Sequence, residues 1–415
     1  MNQVELDSNE IKDVLSYLIH NNKNIQLLGK TPIATEIIGE SGLGKTSISL
    51  QLAKELNLHH VKLNLAQLEE LGDLVGFPMR QFQMIKAGGS VKQVVINAQG
   101  QKEIKMVPSA ATGEKVWVDE VATEQYAKAG YSFAGPKRMS YCPPEWIADK
   151  SGGGLLILDD WNRADTRFIQ AVMELVDRQE YISWKLPENW HIILTANPDN
   201  GEYMVNAIDV AQKTRFMSIV MKWNVDRWAE WAEKNALDSR CINFMLMHQE
   251  VVKGAVNPRS LTNFFNSITS IDDFSAQLSL IQNLGEGSVG SETATLFSSF
   301  INNRMDKWIT PKEVLLSKDD DAVTKALLEI FGKDNDYRAD IASVMTTRLL
   351  NFALYYAESN PITPEIIKRI TGLVKTPKLF TDDLNYHLVK KLLAGNKAKF
   401  KTLVFDTEMQ EIATK

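Results

Sequence analysis

Gly39-Glu40-Ser41-Gly42-Leu43-Gly44-Lys45-Thr46 follows the apolar-flanked run Ile33-Ala34-Thr35-Glu36-Ile37-Ile38, and the two stretches together decide the fold. Their spacing is that of a phosphate-binding loop entered from a strand. Glycines let the backbone turn its N–H groups inward around a polyphosphate, and the helix that must follow points its positive dipole end at the same charge. In that helix, Ile48, Leu52 and Leu56 recur at four-residue intervals, as one apolar face requires. Lys45 is placed to reach the outer phosphates of ATP and Thr46 to ligate Mg2+, with Gly39, Glu40, Ser41, Gly42, Leu43, Gly44 and Ser47 forming the rest of the nucleotide cradle.

Composition narrows the class. A chain of 415 residues, 44% hydrophobic and 24% charged, reads as an ordinary soluble globular protein. Its length suits roughly two to three domains. No apolar run approaches the ~20 residues that span a bilayer, so no membrane partner is expected. Met1-Asn2-Gln3-Val4-Glu5-Leu6-Asp7 is acidic where a secretion signal would be basic. Cys142 and Cys241 stand far apart without paired spacing, which suggests neither a disulfide framework nor a zinc site and fits a reducing cytoplasm. The net charge of −6 speaks against a surface basic all over. His59 and His60, adjacent on an expected strand, would point to opposite faces and serve a metal poorly.

Outward from the loop, strands and helices alternate. Residues 7–30 read as a helix opened by Asp7 or Ser8, with Ile11, Val14, Leu15 and Leu18 on one face. His60 to Leu65 alternates with period two, as a second strand would. Residues 79–145 interrupt the rhythm: Val91 to Asn97 and Glu103 to Val107 flank Ala98-Gln99-Gly100 as a hairpin, with Lys115 to Asp119 a third strand beside it and a helical patch from Val121 to Gly130. Gly152 to Asp160 and His191 to Pro198 are uninterrupted apolar strands, which means burial on both faces of a parallel sheet. Arg215 to Met221 supplies a last strand. Polar strand ends then line up along one edge, where open parallel sheets bind ligands. From Trp223 onward the chain reads as helical, with Trp228, Trp231 and Ala232 on one helix and Pro258 opening another. These signals give an α/β fold: a three-layer αβα core with a parallel sheet over residues 1–222, a helical lid over 223–303 after the Gly/Ser-rich Gly285 to Ser291, and a helical C-terminal domain over 304–415.

Phosphoryl transfer to water needs a carboxylate for the metal, a group to activate or position water, and cationic charge on the departing phosphates. Asp159, closing its buried strand, suits the first role and Asp160 the second, while Asn197 at the neighbouring strand tip could orient water. With these residues in place, the chain resembles the AAA+ ATPases, and within them the MoxR-like, helix-2-insert branch. Asp159-Asp160-Trp161-Asn162-Arg163-Ala164-Asp165 resembles the Walker B block, Ala196-Asn197-Pro198 sensor 1, Ala207 to Phe216 the arginine-finger segment, and Asn257-Pro258-Arg259-Ser260 sensor 2. The resemblance spans residues 30–265. It implies that Arg215 completes a neighbouring subunit's site, that Arg259 touches nucleotide in cis, and that the chain forms a homo-oligomeric ring, usually of six. Two departures stand out. Walker B ordinarily ends Asp-Glu, whereas Asp160 is one methylene shorter, and a shift on the order of 1 Å can slow turnover ~100-fold. The insertion at 79–145 is long, and is expected to face the ring pore, a surface embellishment being the alternative.

Residues 303–415 match no family motif. Their basic end, Lys368, Arg369, Lys375, Lys378, Lys390, Lys391, Lys397, Lys399 and Lys401, could be a nucleic-acid surface or, the favoured reading, a solvated helix face. The expected function is ATP-driven, chaperone-like remodelling or assembly of a macromolecular partner, a protein first of all. A DNA-associated motor or loader and a nucleotide-gated scaffold with slow hydrolysis are the alternatives.

Overall fold

The computed structural model describes residues 4–86, 88, 90–96, 102–108, 113–332 and 334–414. Its contacts divide the chain into two compact units. The first comprises Met1–Val4, Ile11–Gly39 and Lys45–Val220, the second Glu5–Glu10, Glu40–Gly44 and Met221–Lys415.

Along the chain come β1 (Val4–Leu6), α1 (Ser8–Leu27), β2 (Ala34–Ile38), α2 (Lys45–Glu55), β3 (His59–Asn64) and α3 (Leu71–Val75). The inserted segment holds β4 (Phe77–Lys86), β5 (Ser90–Ile96), β6 (Lys102–Pro108), β7 (Glu114–Asp119), α4 (Thr123–Lys128) and β8 (Ser132–Cys142). Then follow β9 (Gly154–Asp159), α5 (Thr166–Arg178), the short pair β10 (Glu180–Tyr181) and β11 (Trp184–Lys185), β12 (Trp190–Ala196), α6 (Val210–Lys213) and β13 (Phe216–Met221). Five parallel strands run in the order β13-β2-β12-β9-β3. Every residue of β9 and β12 is buried, which is why both read as unbroken apolar runs. On one face Leu156, Leu158, Ile192 and Leu194 join Phe168, Val172, Leu175 and Val176 of α5 in a single core. Period two sends Leu155, Ile157 and Ile193 to the other face, where α2 packs against β9. The result is a parallel sheet with helices on both sides.

Several local expectations are corrected. Ile48 and Leu52 are buried as the helical face required, but α2 ends at Glu55 and Leu56 lies in solvent. Arg215 precedes β13 rather than opening it. The segment Lys115 to Asp119 forms β7, which pairs with β4 in a three-stranded antiparallel sheet β7-β4-β8; it does not join the hairpin. β5 and β6 pair with each other from Ser90↔Pro108 to Ile96↔Lys102, as the alternating pattern predicted. Their turn, Ala98-Gln99-Gly100, lies outside the described residues.

The second unit is helical: α7 (Val225–Lys234), α8 (Ser239–Met247), α9 (Pro258–Ile268), α10 (Leu278–Asn302), α11 (Pro311–Leu316), α12 (Asp320–Phe331), α13 (Ala339–Ser359), α14 (Pro364–Lys375), α15 (Asp382–Gly395), α16 (Lys397–Phe400) and α17 (Thr407–Thr414). Trp228, Trp231 and Ala232 share α7 as predicted, with Trp228 and Ala232 buried and Trp231 exposed. The Gly/Ser-rich stretch Gly285 to Ser291 lies inside α10. Gly285 is needed for packing: a Cβ there would stand 2.9 Å from the Ala294 Cβ and 3.2 Å from the Phe264 ring. Gly290, at φ 81, breaks the helix into two legs. One apolar core runs from Trp228 to Ile301 and another from Trp308 to Met409. Arg348, 2% exposed, ties α13 to the earlier helices: it donates to Glu233 Oε1 at 2.7 Å, Ser239 Oγ at 2.7 Å and Asn243 Oδ1 at 2.6 Å. A buried guanidinium is tolerated only with such complete pairing. Among the described residues no helix is long and apolar enough to cross a membrane.

Candidate functional site

The strand order places β12 between the loop-bearing β2 and the carboxylate-bearing β9, so Asn197 sits between the loop and the acids. Gly39 N donates to Ala196 O at 3.1 Å, which fixes the start of the loop on the end of β12. Gly44, at φ +100, takes a backbone turn that glycine alone adopts without strain, and α2 begins at the next residue. Lys45 is buried; its Nζ donates to Gly39 O at 2.5 Å and to Asn197 Oδ1 at 3.1 Å. Thr46 Oγ1 donates to Asp159 Oδ1 at 2.6 Å. Ser47 is exposed on the outside of the first turn.

Asp159 is the most heavily engaged acid of this cluster. Its Oδ1 also accepts from Thr195 Oγ1 at 2.5 Å, and its Oδ2 lies 2.9 Å from Lys62 Nζ. Burial pushes its carboxyl up, but hydrogen bonds from Thr195, Thr46 and Lys62 outweigh burial and hold it below the usual carboxylate range. Asp160 has φ 52, in the left-handed region that aspartate tolerates better than most side chains. Its N donates to Thr195 Oγ1 at 3.2 Å, its Oδ1 accepts from Asn197 Nδ2 at 3.0 Å, and its Oδ2 is 3.7 Å from Arg163. Asn162 locks the next strand tip, donating to Asn197 O at 2.8 Å and accepting from Asn197 N at 3.2 Å. Beneath these groups, buried Glu36 of β2 accepts from Trp161 Nε1 at 2.9 Å and Ser218 Oγ at 2.6 Å, and burial raises its carboxyl despite those bonds.

Lys45, Thr46, Asp159, Asp160 and Asn197 thus meet at one sheet edge. Arg215 does not join them: its Nη1 donates to Ala211 O at 2.9 Å and its Nε is 3.9 Å from Asp177. Within the second unit, Gly42 (φ +80) lies against the start of α9. A Cβ on it would come 2.3 Å from Asn257 Oδ1 and 3.1 Å from the Arg259 Cβ, so only glycine fits. Asn257 caps α9 through the N–H groups of Arg259 and Ser260, both at 3.0 Å. The sequence reading missed Thr195, Lys62 and Asn162. Thr195 carries a signal, a hydroxyl at the end of an otherwise apolar strand; Lys62 carries none, because an alternating strand gives every second residue to the same face.

The donor set fits a hard divalent ion. A threonine hydroxyl and a depressed carboxylate are oxygen ligands of the kind Mg2+ takes when phosphates supply the rest. Among the described residues no group of three or more His, Cys, Asp or Glu side chains offers a competing metal site. Cys142 and Cys241 are both free thiols. In the C-terminal basic stripe three of the nine cations face a carboxylate. Lys375 lies 2.7 Å from Asp406, Lys378 2.6 Å from Asp334, and buried Arg369 donates to Asp320 at 2.6 Å.

No family model matches the chain, and no curated protein matches it. Among solved structures, it is similar to the Thermotoga maritima RuvB Holliday junction branch migration motor, at 13% identity and a TM-score of 0.35, covering 78% of this chain and 76% of that one. A point mutant of the same Thermotoga maritima RuvB is similar at 11% identity and a TM-score of 0.35, covering 86% of this chain and 91% of that one. At such identity and superposition, class is read from the strand order and the site alone: an α/β protein with a phosphate-binding loop at the edge of a parallel sheet.

Proposed function

We propose that the chain is an AAA+ ATPase of the MoxR-like branch, which binds and hydrolyses ATP with Mg2+ and couples this to remodelling or assembly of a macromolecular partner, a protein first of all. The observation that carries the reading is the convergence of the loop lysine, the loop threonine, the strand-end aspartate and the Asn197 amide within hydrogen-bond reach of one another. Thr46 and Asp159 would hold Mg2+, which would supply Lewis-acid charge to the outer phosphates. Lys45 would give its ammonium to the same phosphates. Asn197 links the two halves of the site, since its Oδ1 accepts from Lys45 and its Nδ2 donates to the Asp160 carboxylate that would activate water. The family resemblance adds Arg215 as a finger acting on a neighbouring subunit in a ring of six, and Arg259 as a lid residue acting in cis.

The slow-turnover, nucleotide-gated scaffold keeps one specific support: Asp160 is short, and its carboxylate is already held by Asn197 and lies near Arg163. The DNA-associated reading would have to use the lysines of the C-terminal stripe other than Lys375 and Lys378, which face carboxylates. Lys45→Ala tests the whole proposal. It should weaken binding of a fluorescent ATP analogue by ~100-fold or more, because the charge-assisted contact to phosphate goes with it. Unchanged affinity in a folded variant would remove the phosphate-loop reading.

A further inference from the structure

Both oxygens of Asp159 are taken. Oδ1 accepts two hydroxyls, from Thr46 and Thr195, and Oδ2 faces the Lys62 ammonium at 2.9 Å. Lys62 comes from β3, whose Asn64 pairs in register with Asp159, so the lysine reaches the strand-end carboxylate from the adjoining outer strand. Its side chain is 42% exposed against 11% for the carboxylate. The lysine therefore has solvent to withdraw into, and the aspartate does not.

We infer that Lys62 is a displaceable counter-cation which occupies the divalent ion's place on Asp159 and has to leave before that ion is bound. The inference rests on the nucleotide-site reading above. A metal ligated by the Thr46 hydroxyl needs the Asp159 charge, either directly or through a coordinated water. An ammonium 2.9 Å from Oδ2 competes for that charge and repels the incoming dication across the same few ångströms. The acid is thereby kept ionised and oriented while metal is away, and metal loading is set against the release of Lys62. The site then needs more free Mg2+ than the acid alone would, with Lys62 setting the midpoint.

Lys62→Met keeps the aliphatic stem and removes the charge; Lys62→Arg keeps a cation. The measurement is the affinity of the full chain for a fluorescent ADP analogue, titrated from metal-free buffer into rising Mg2+, so that no turnover is read. In Lys62→Met the Mg2+ midpoint should fall about two- to fivefold, the scale of one partly exposed ion pair, while metal-free affinity changes little. Lys62→Arg should stay near the wild-type midpoint. An unchanged or raised midpoint in Lys62→Met, with metal-free binding intact, would overturn the inference and leave the nucleotide site standing. A wild-type chain that binds no nucleotide with or without metal would overturn both.

Discussion

At the residue scale, Asp160 carries the sharpest question. Its left-handed backbone and its bond from Asn197 Nδ2 hold the carboxylate in one orientation, one methylene short of the glutamate that the family pattern would place there. Asn also tolerates that backbone region, so Asp160→Asn should fold and bind ATP while hydrolysis drops. Asp160→Glu should raise steady-state hydrolysis on the order of tenfold if reach is what limits it. Equal turnover in wild type and both variants would remove Asp160 from the chemistry. His191 makes a separate prediction about stability. It is 2% exposed, Asn22 donates to its Nδ1 at 3.3 Å, and its Nε2 has no partner. Burial, aided by the charge of Lys23, pushes its pKa down to about 4 from the usual 6.5. The unfolded chain then takes up a proton that the folded chain refuses. The His191 contribution is fully present above the unfolded pKa and is lost as pH falls from 6.5 toward about 4, by at most about 3 kcal/mol. His191→Leu should flatten the change in urea midpoint between neutral pH and about pH 4.5; an unchanged slope would show that other groups govern it.

At the element scale, the outcome depends on whether a pattern is local. The phosphate loop, the two apolar strands and the hairpin β5-β6 were legible because strand burial and loop chemistry are written in consecutive residues. The partner of β7 was not, because β4 contributes to its sheet from about thirty residues upstream and nothing local encodes that choice. Gly285 to Ser291, which marked the boundary near 303 in the sequence, lies inside α10, where Gly285 serves the close approach of Ala294 and Phe264. At the site, the carboxylates and Asn197 could be named in advance, whereas Lys62 could not, since its role depends on strand adjacency. The hairpin also gives a test. β5 and β6 pair only with each other among the described strands, so deleting residues 91–107 should leave ATP-analogue affinity within about twofold while abolishing coupling to the partner. Loss of nucleotide binding in a folded deletion variant would assign the hairpin to the nucleotide site instead.

At the scale of the whole molecule, Arg215 lies near Asp177 in its own chain and does not join Asp159 and Asp160. If it serves an adjoining subunit, Arg215→Ala should bind ATP and hydrolyse it ~10³-fold more slowly, whereas mixtures with Lys45→Ala should recover part of the lost activity. The recovery comes from interfaces that unite an intact Lys45 pocket with an intact Arg215. Demonstrated subunit exchange without recovery would place the finger elsewhere, with Arg163 and Arg167 the next candidates. β4 leaves and β8 returns at a single pinch, where Phe77 pairs with Cys142 and a Cβ on Gly76 would collide with Cys142 O at 1.8 Å. Trp184 Nε1, donating to Val75 O at 2.9 Å, pins the outgoing strand just before that point, and Ser183 Oγ, accepting from Tyr141 N at 2.9 Å, pins the returning one. A segment whose two ends already touch can be exchanged for another with little added loop-closure entropy. The appended sheet and hairpin can in that sense be exchanged as one piece, leaving the sheet edge that carries Lys45 and Asp159 as it is.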